Sequence, residues 1–137
     1  MASIRREMQV AADAAQIWDA VRDVGALHRR LVTGFVVDCR LDGDDARVVK
    51  FANGMEAREV IVDVDAAAQR IAWSATGGRL THHNASLQVF DEGSGRSRVV
   101  WIADLMPNAL APAIAGMIDD GMRAMKATLE KTVLDNS

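Results

Sequence analysis

The chain has 137 residues, 50% hydrophobic and 26% charged, with a net charge of −3. That length supports one domain over residues 1–137 with its own core, and the composition excludes a disordered or fibrous chain. The charge gives no electrostatic reason to bind nucleic acid or an anionic membrane surface, and with no apolar h-region in MASIRREMQV and no bilayer-length apolar run, the expectation is a cytoplasmic protein without membrane insertion.

Ile4 to Val10 suits a strand. In DAAQIWDAVRD, Asp13 is followed three residues on by Gln16, the spacing of a capping box, and Ile17, Val21 and Val24 recur at helical spacing. A short second helix, Ala26 to Leu31, follows Gly25. From Val32 the period becomes that of a strand, with Phe35, Val37, Cys39 and Leu41 alternating against Val36, Asp38 and Arg40. DGDD, Asn53-Gly54, DAAAQ, Gly77-Gly78 and DEGSG then punctuate runs near 46–52, 56–65, 70–76, 80–90 and 97–106. With the strand near 32–42 and the N-terminal one, this is a seven-stranded antiparallel meander. After Pro107 the helical period returns in Leu110, Ile114, Met117, Ile118, Met122, Met125, Leu129 and Val133. A helix of about 27 residues, about 40 Å long, would bury that stripe on one sheet face. The fold class is α+β.

The paired histidines of RLTHHNASLQV lie on a strand, so their rings face opposite sides and do not readily ligate one ion together. His83 shares its parity with Ala85, Leu87 and Val89 and faces inward, while His82 goes with Asn84, Ser86 and Gln88. With three histidines and one cysteine, no metal site is expected. No cofactor is expected either, because no G-x-S-x-G, P-loop or dinucleotide fingerprint occurs. Cys39 reads as a buried structural thiol. DGDD and DVD read as solvated turns, and Arg29-Arg30 beside His28 as a solvated helix end.

Two questions stay open on periodicity. Glu59 lies on the parity of Ala57 and Ile61, opposite Val60, Val62 and Val64, so Arg58 competes with it for the inner face. On the last strand Val99, Trp101 and Ala103 compete with Val100, Ile102 and Asp104. Met117, Met122 and Met125 around Gly121 would make a soft, thin cavity wall, although such a stripe more often packs a core.

The order strand, two helices, six strands, long helix, together with VAADAAQIWDAVRDVGALHRRL, ANGMEAREVIVDVDAAAQRIAW and GGRLTHHNASLQV, resembles the SRPBCC superfamily. This is the helix-grip fold of START lipid-transfer domains, polyketide cyclase/dehydrase-like proteins, pollen allergens and plant abscisic-acid receptors. The resemblance covers nearly the whole chain and rests on the order and spacing of the motifs. It implies a curved sheet wrapped around the long C-terminal helix, with a cavity between them for a small hydrophobic molecule. It places Glu59, Trp73, Ala75 and His83 at cavity positions and favours Val100 and Ile102 on the last strand. Ala85, Leu87, Met117, Gly121, Met122 and Met125 complete the expected ligand-binding set. Counting back from Cys39 sets Thr33 where the receptors carry an acid-binding lysine, and FANGM is a shortened gate loop without its proline. A receptor-type hormone switch is therefore not implied.

Three functions remain in view. One is a carrier or sensor for a hydrophobic molecule. Another is a polyketide cyclase or dehydratase-like enzyme with His83 as acid/base and Glu59, Arg58 or Asp104 as polar partner. The third is a protein-interaction or chaperone-activator-like module, with Val60, Val62 and Val64 as an apolar strip for homodimerisation.

Overall fold

Strand periodicity broken by turn residues folds most of the chain into one antiparallel sheet; the computed structural model describes residues 1–136. β1 (Ala2–Val10) leads into α1 (Ala14–Val21) and α2 (Leu27–Arg30), followed by β2 (Val36–Leu41), β3 (Ala46–Phe51), β4 (Glu56–Asp65), β5 (Arg70–Thr76), β6 (His82–Gly93) and β7 (Arg96–Met106). The meander from β2 to β7 is closed by β1 beside β7, giving the order β1-β7-β6-β5-β4-β3-β2. A single 3-10 turn, Asn108–Leu110, then precedes α3 (Ala111–Asp135).

The expected elements appear with shifted ends. The first helix starts after Asp13, but the Asp13 side chain caps nothing, and the expected capping box does not form. Instead the Asp13 carbonyl accepts from the Gln16 and Ile17 amides at 3.1 and 3.0 Å. β2 begins at Val36 because Leu31 and Val32 are buried ahead of it, with Thr33 and Gly34 turning the chain. α3 has 25 residues because the 3-10 turn takes up the first three of its expected span. Pro112 sits in the first turn of α3, where its missing N–H leaves no bond unmade.

α3 lays Ile114, Ile118, Met122, Met125 and Leu129 on the concave face of the sheet. Polar clasps hold it to β1 and the residues just after. Arg6 Nε donates to Asp119 Oδ1 at 2.7 Å, Lys126 Nζ to the Gln9 carbonyl at 2.7 Å, and the Ala11 amide to Glu130 Oε2 at 2.8 Å.

One register shift changes which residues share a face. Ile61 pairs with Trp73, but Asp63 already pairs with Ala72, so Val62 is an extra residue in β4. Before the bulge Val60 faces outward beside Ser74 and Ala46; after it Val64 stands opposite Ile71, an inner-face residue. The expected strip of Val60, Val62 and Val64 is thus divided between the two faces. No described helix is long and apolar enough to cross a membrane.

Candidate functional site

Between the concave face of the sheet and α3 lies a cavity of about 90 Å³. Its wall is largely apolar. Val21 of α1 and Leu27 of α2 bound one side, Ile114, Met117, Ile118 and Met125 of α3 another, and Ile71 and Leu87 the sheet. Two aromatic pairs complete it. Phe35 and Phe51 meet edge to face at 5.4 Å, and Trp73 and Trp101 at 6.0 Å.

Three ionisable residues break this apolar wall: Arg47, Glu59 and His83. They arise from one row of the sheet. Arg47 of β3 pairs with Glu59 of β4, Glu59 pairs with Ala75 of β5, and one further step of the β5–β6 register sets His83 beside Ala75. Arg47 Nε donates to Glu59 Oε1 at 2.8 Å, and both side chains are at most 10% exposed. Arg47 Nη1 donates to the Val24 carbonyl at 3.2 Å, and its guanidinium carbon lies 5.8 Å from the centre of the Trp73 ring. A buried pair of this kind stands only with such hydrogen bonds, because desolvating two charges costs several kcal/mol per ion, roughly.

His83 is half-buried on β6. Burial pushes its imidazole below the ordinary value; the Glu59 carboxylate opposes that shift and His82 adds to it. The ring is therefore neutral near neutral pH, able to accept one proton and donate another. Burial also pushes the Cys39 thiol up, with the Arg47 guanidinium opposing, and Cys39 donates to the same Val24 carbonyl at 3.5 Å. It is a buried packing thiol.

The structure separates the remaining expected residues clearly. Glu59 faces the cavity, whereas Arg58 points outward and binds Asp42 at 2.8 Å. Trp73, Leu87, Met117 and Met125 reach the cavity; Ala75, Ala85 and Met122 are buried beside it without lining it. Gly121 does not thin the wall. A Cβ there would come within 2.9 Å of the Trp101 ring and 3.2 Å of the Phe35 ring, so the missing side chain is space those two rings already fill. On β7 the inner face belongs to Val99, Trp101, Ala103 and Leu105. Val100 and Ile102 are therefore not cavity residues, and neither is Asp104, which shares their outer face opposite Asn84 and Ser3. Val100 is buried all the same, between Glu7 and Gln88 on the neighbouring strands, whose apolar stems cover it.

Arg30 is tied to Asp19 and Asp23, and Thr33 is uncharged and exposed, so neither supplies a cation to the cavity. Arg47 is the residue that pattern reading missed. A signal for it existed: counting outward from a three-residue Ala52-Asn53-Gly54 loop, where Gly54 takes a φ of +90° and the Phe51 amide donates to the Met55 carbonyl, sets Arg47 directly opposite Glu59.

A family model described as polyketide cyclase / dehydrase and lipid transport matches residues 1–130. Among solved structures, an uncharacterised protein from Bacillus thuringiensis superposes with a TM-score of 0.82 at 18% identity, over 93% of this chain and 98% of that one. A START superfamily protein from Mycobacterium smegmatis gives 0.76 at 12% identity over 98% and 99%. Norcoclaurine synthase from Thalictrum flavum, in complex with dopamine and hydroxybenzaldehyde, gives 0.74 at 21% identity over 99% and 88%. At these identities the likeness is one of fold, a helix-grip architecture in each case. No curated protein matches the sequence significantly.

Proposed function

The chain belongs to the polyketide cyclase / dehydrase and lipid transport family, and from that premise we propose that it binds a small, largely hydrophobic molecule between the sheet and α3. The observation that carries this reading is the cavity itself, an apolar enclosure interrupted on one side by Arg47, Glu59 and His83. Few polar groups in an apolar pocket orient a ligand and select it, while the apolar wall provides the affinity. At about 90 Å³ the space is below the roughly 300–1,000 Å³ of typical ligand sites. A sizeable ligand therefore enters by displacing Met117 and Met125, whose unbranched thioethers repack at low cost. Native mass spectrometry of the protein as purified, followed by solvent extraction, tests the proposal. The expected result is a non-covalent adduct released on denaturation; a protein that retains no apolar compound, even when offered a broad extract, overturns it.

A second reading is supported by His83, a neutral imidazole in the cavity wall, in the same row as a carboxylate. Such a group suits proton transfer in a cyclisation, dehydration or isomerisation, with contributions of about 10² to 10⁴ in rate. Recovery of the bound compound decides between the two. Unchanged compound supports a carrier or sensor, and a product that disappears in His83→Ala supports an enzyme. The association reading is weakened, since the bulge at Val62 divides the valine strip on which it rested.

A further inference from the structure

Resting on the ligand-binding reading above, we infer that the ligand is an uncharged molecule carrying a hydroxyl group, which donates to Glu59 and accepts from His83, and that carboxylates are excluded.

Glu59 and His83 keep unused hydrogen-bonding capacity in the cavity wall. Arg47 Nε occupies Glu59 Oε1, while Oε2 has no partner among the described residues, although the side chain is nine-tenths buried and lines the cavity. An ionised carboxylate oxygen only accepts, so what completes it must be a donor. Both ring nitrogens of His83 are likewise without a hydrogen-bond partner among the described residues, and the neutral ring offers one donor and one acceptor. Between the two stands Ala75, whose side chain ends at Cβ. Glu59 and His83 are two strand spacings apart, about 10 Å between backbones, and both side chains line the cavity. A hydroxyl placed there donates a hydrogen bond to Glu59 Oε2 and accepts one from an imidazole N–H.

Charge decides against other polar groups. Arg47 and Glu59 cancel each other, and the neutral ring adds nothing, so the site has no net charge to offset a buried ion. A ligand carboxylate would bring a second negative charge beside Glu59, whose own charge the single positive charge of Arg47 already balances. A ligand ammonium would find one carboxylate whose charge Arg47 has already answered.

Four probes on one scaffold test this: para-cresol, toluene, 4-methylbenzoate and 4-methylbenzylamine. Quenching of Trp73 and Trp101, both in the cavity wall, reports binding. The expected result is that para-cresol binds about tenfold or more tightly than each of the others, as a hydrogen bond to a charged acceptor allows. In the Arg47→Met/Glu59→Leu double variant, which removes both charges together, the preference falls to within about twofold of toluene. If the wild type binds toluene or either ion as tightly as para-cresol, the ligand class is wrong while the cavity reading stands. A preference that survives in the double variant removes Glu59 from the recognition. If none of the four binds at millimolar concentration, the cavity reading fails, and this inference with it.

Discussion

The two ends of the sheet are built to different rules. At the β1–β7 end, Ile4, Val99, Ala103 and Leu105 fill the space under α3, each no more than 6% exposed, and the buried polar side chain there, Ser97, spends its hydroxyl on the Ala12 carbonyl at 2.7 Å. At the β3–β5 end the space is left partly empty, and Arg47 and Glu59 are buried with capacity to spare. The same antiparallel ladder supports both. The difference shows that solid core and hollow are chosen by the inward residues alone: small and branched apolar side chains close one end, while flat aromatic rings, thioethers and an ion pair hold the other open.

The sharpest way to break that comparison is to unbalance the ion pair. Glu59→Ala leaves the Arg47 charge buried without its partner and is expected to cost about 3–5 kcal/mol in urea unfolding, whereas replacing both residues with apolar ones of similar volume is expected to be nearly neutral. An equal loss in the single and double variants would mean that the pair is held by packing and not by charge. Next in size is a matched pair of truncations. Leu105→Ala at the solid end is expected to cost about 3 kcal/mol, because a close-packed site cannot collapse around the void. Met117→Ala, at the edge of an existing hollow, is expected to cost about 1 kcal/mol and to enlarge the cavity. Similar losses at both sites would show that the two ends are packed alike.

The smallest effect concerns pH. Burial lowers the His83 pKa, so in the window between the folded value and the unfolded one of about 6.5 the unfolded chain holds a proton that the folded chain lacks. The contribution of His83 is therefore fully present above the unfolded value and declines as pH falls through the folded one. Unfolding free energies across that range are expected to lose part of their acid-side slope in His83→Gln, and an NMR titration of the ring gives the folded value directly.

Much of this architecture was legible in the pattern of residues, because the turns announce themselves. Asn53-Gly54 and Gly77-Gly78 delimit hairpins, and the change of period after Pro107 marks the long helix. His83 and Glu59 could be placed on the inner wall, the first by the apolar residues of its parity and the second only after the structure excluded Arg58. The β4 bulge left no trace, since an extra Val62 in a run of valines changes the register without changing the composition. β7 misled for a different reason. It is flanked by strands on both sides, so long polar neighbours bury Val100 on the outer face, and both parities of RSRVVWIADLM look like core.

The Val24 carbonyl ties the cavity to the helices that precede β2. It receives Arg47 Nη1 and the Cys39 thiol, and it lies on the segment joining α1 to α2, from which Leu27 reaches the cavity wall. One guanidinium thus holds the Glu59 carboxylate with one nitrogen and the segment between α1 and α2 with another. Replacing Arg47 would therefore release the cavity carboxylate and the α1–α2 segment in one step.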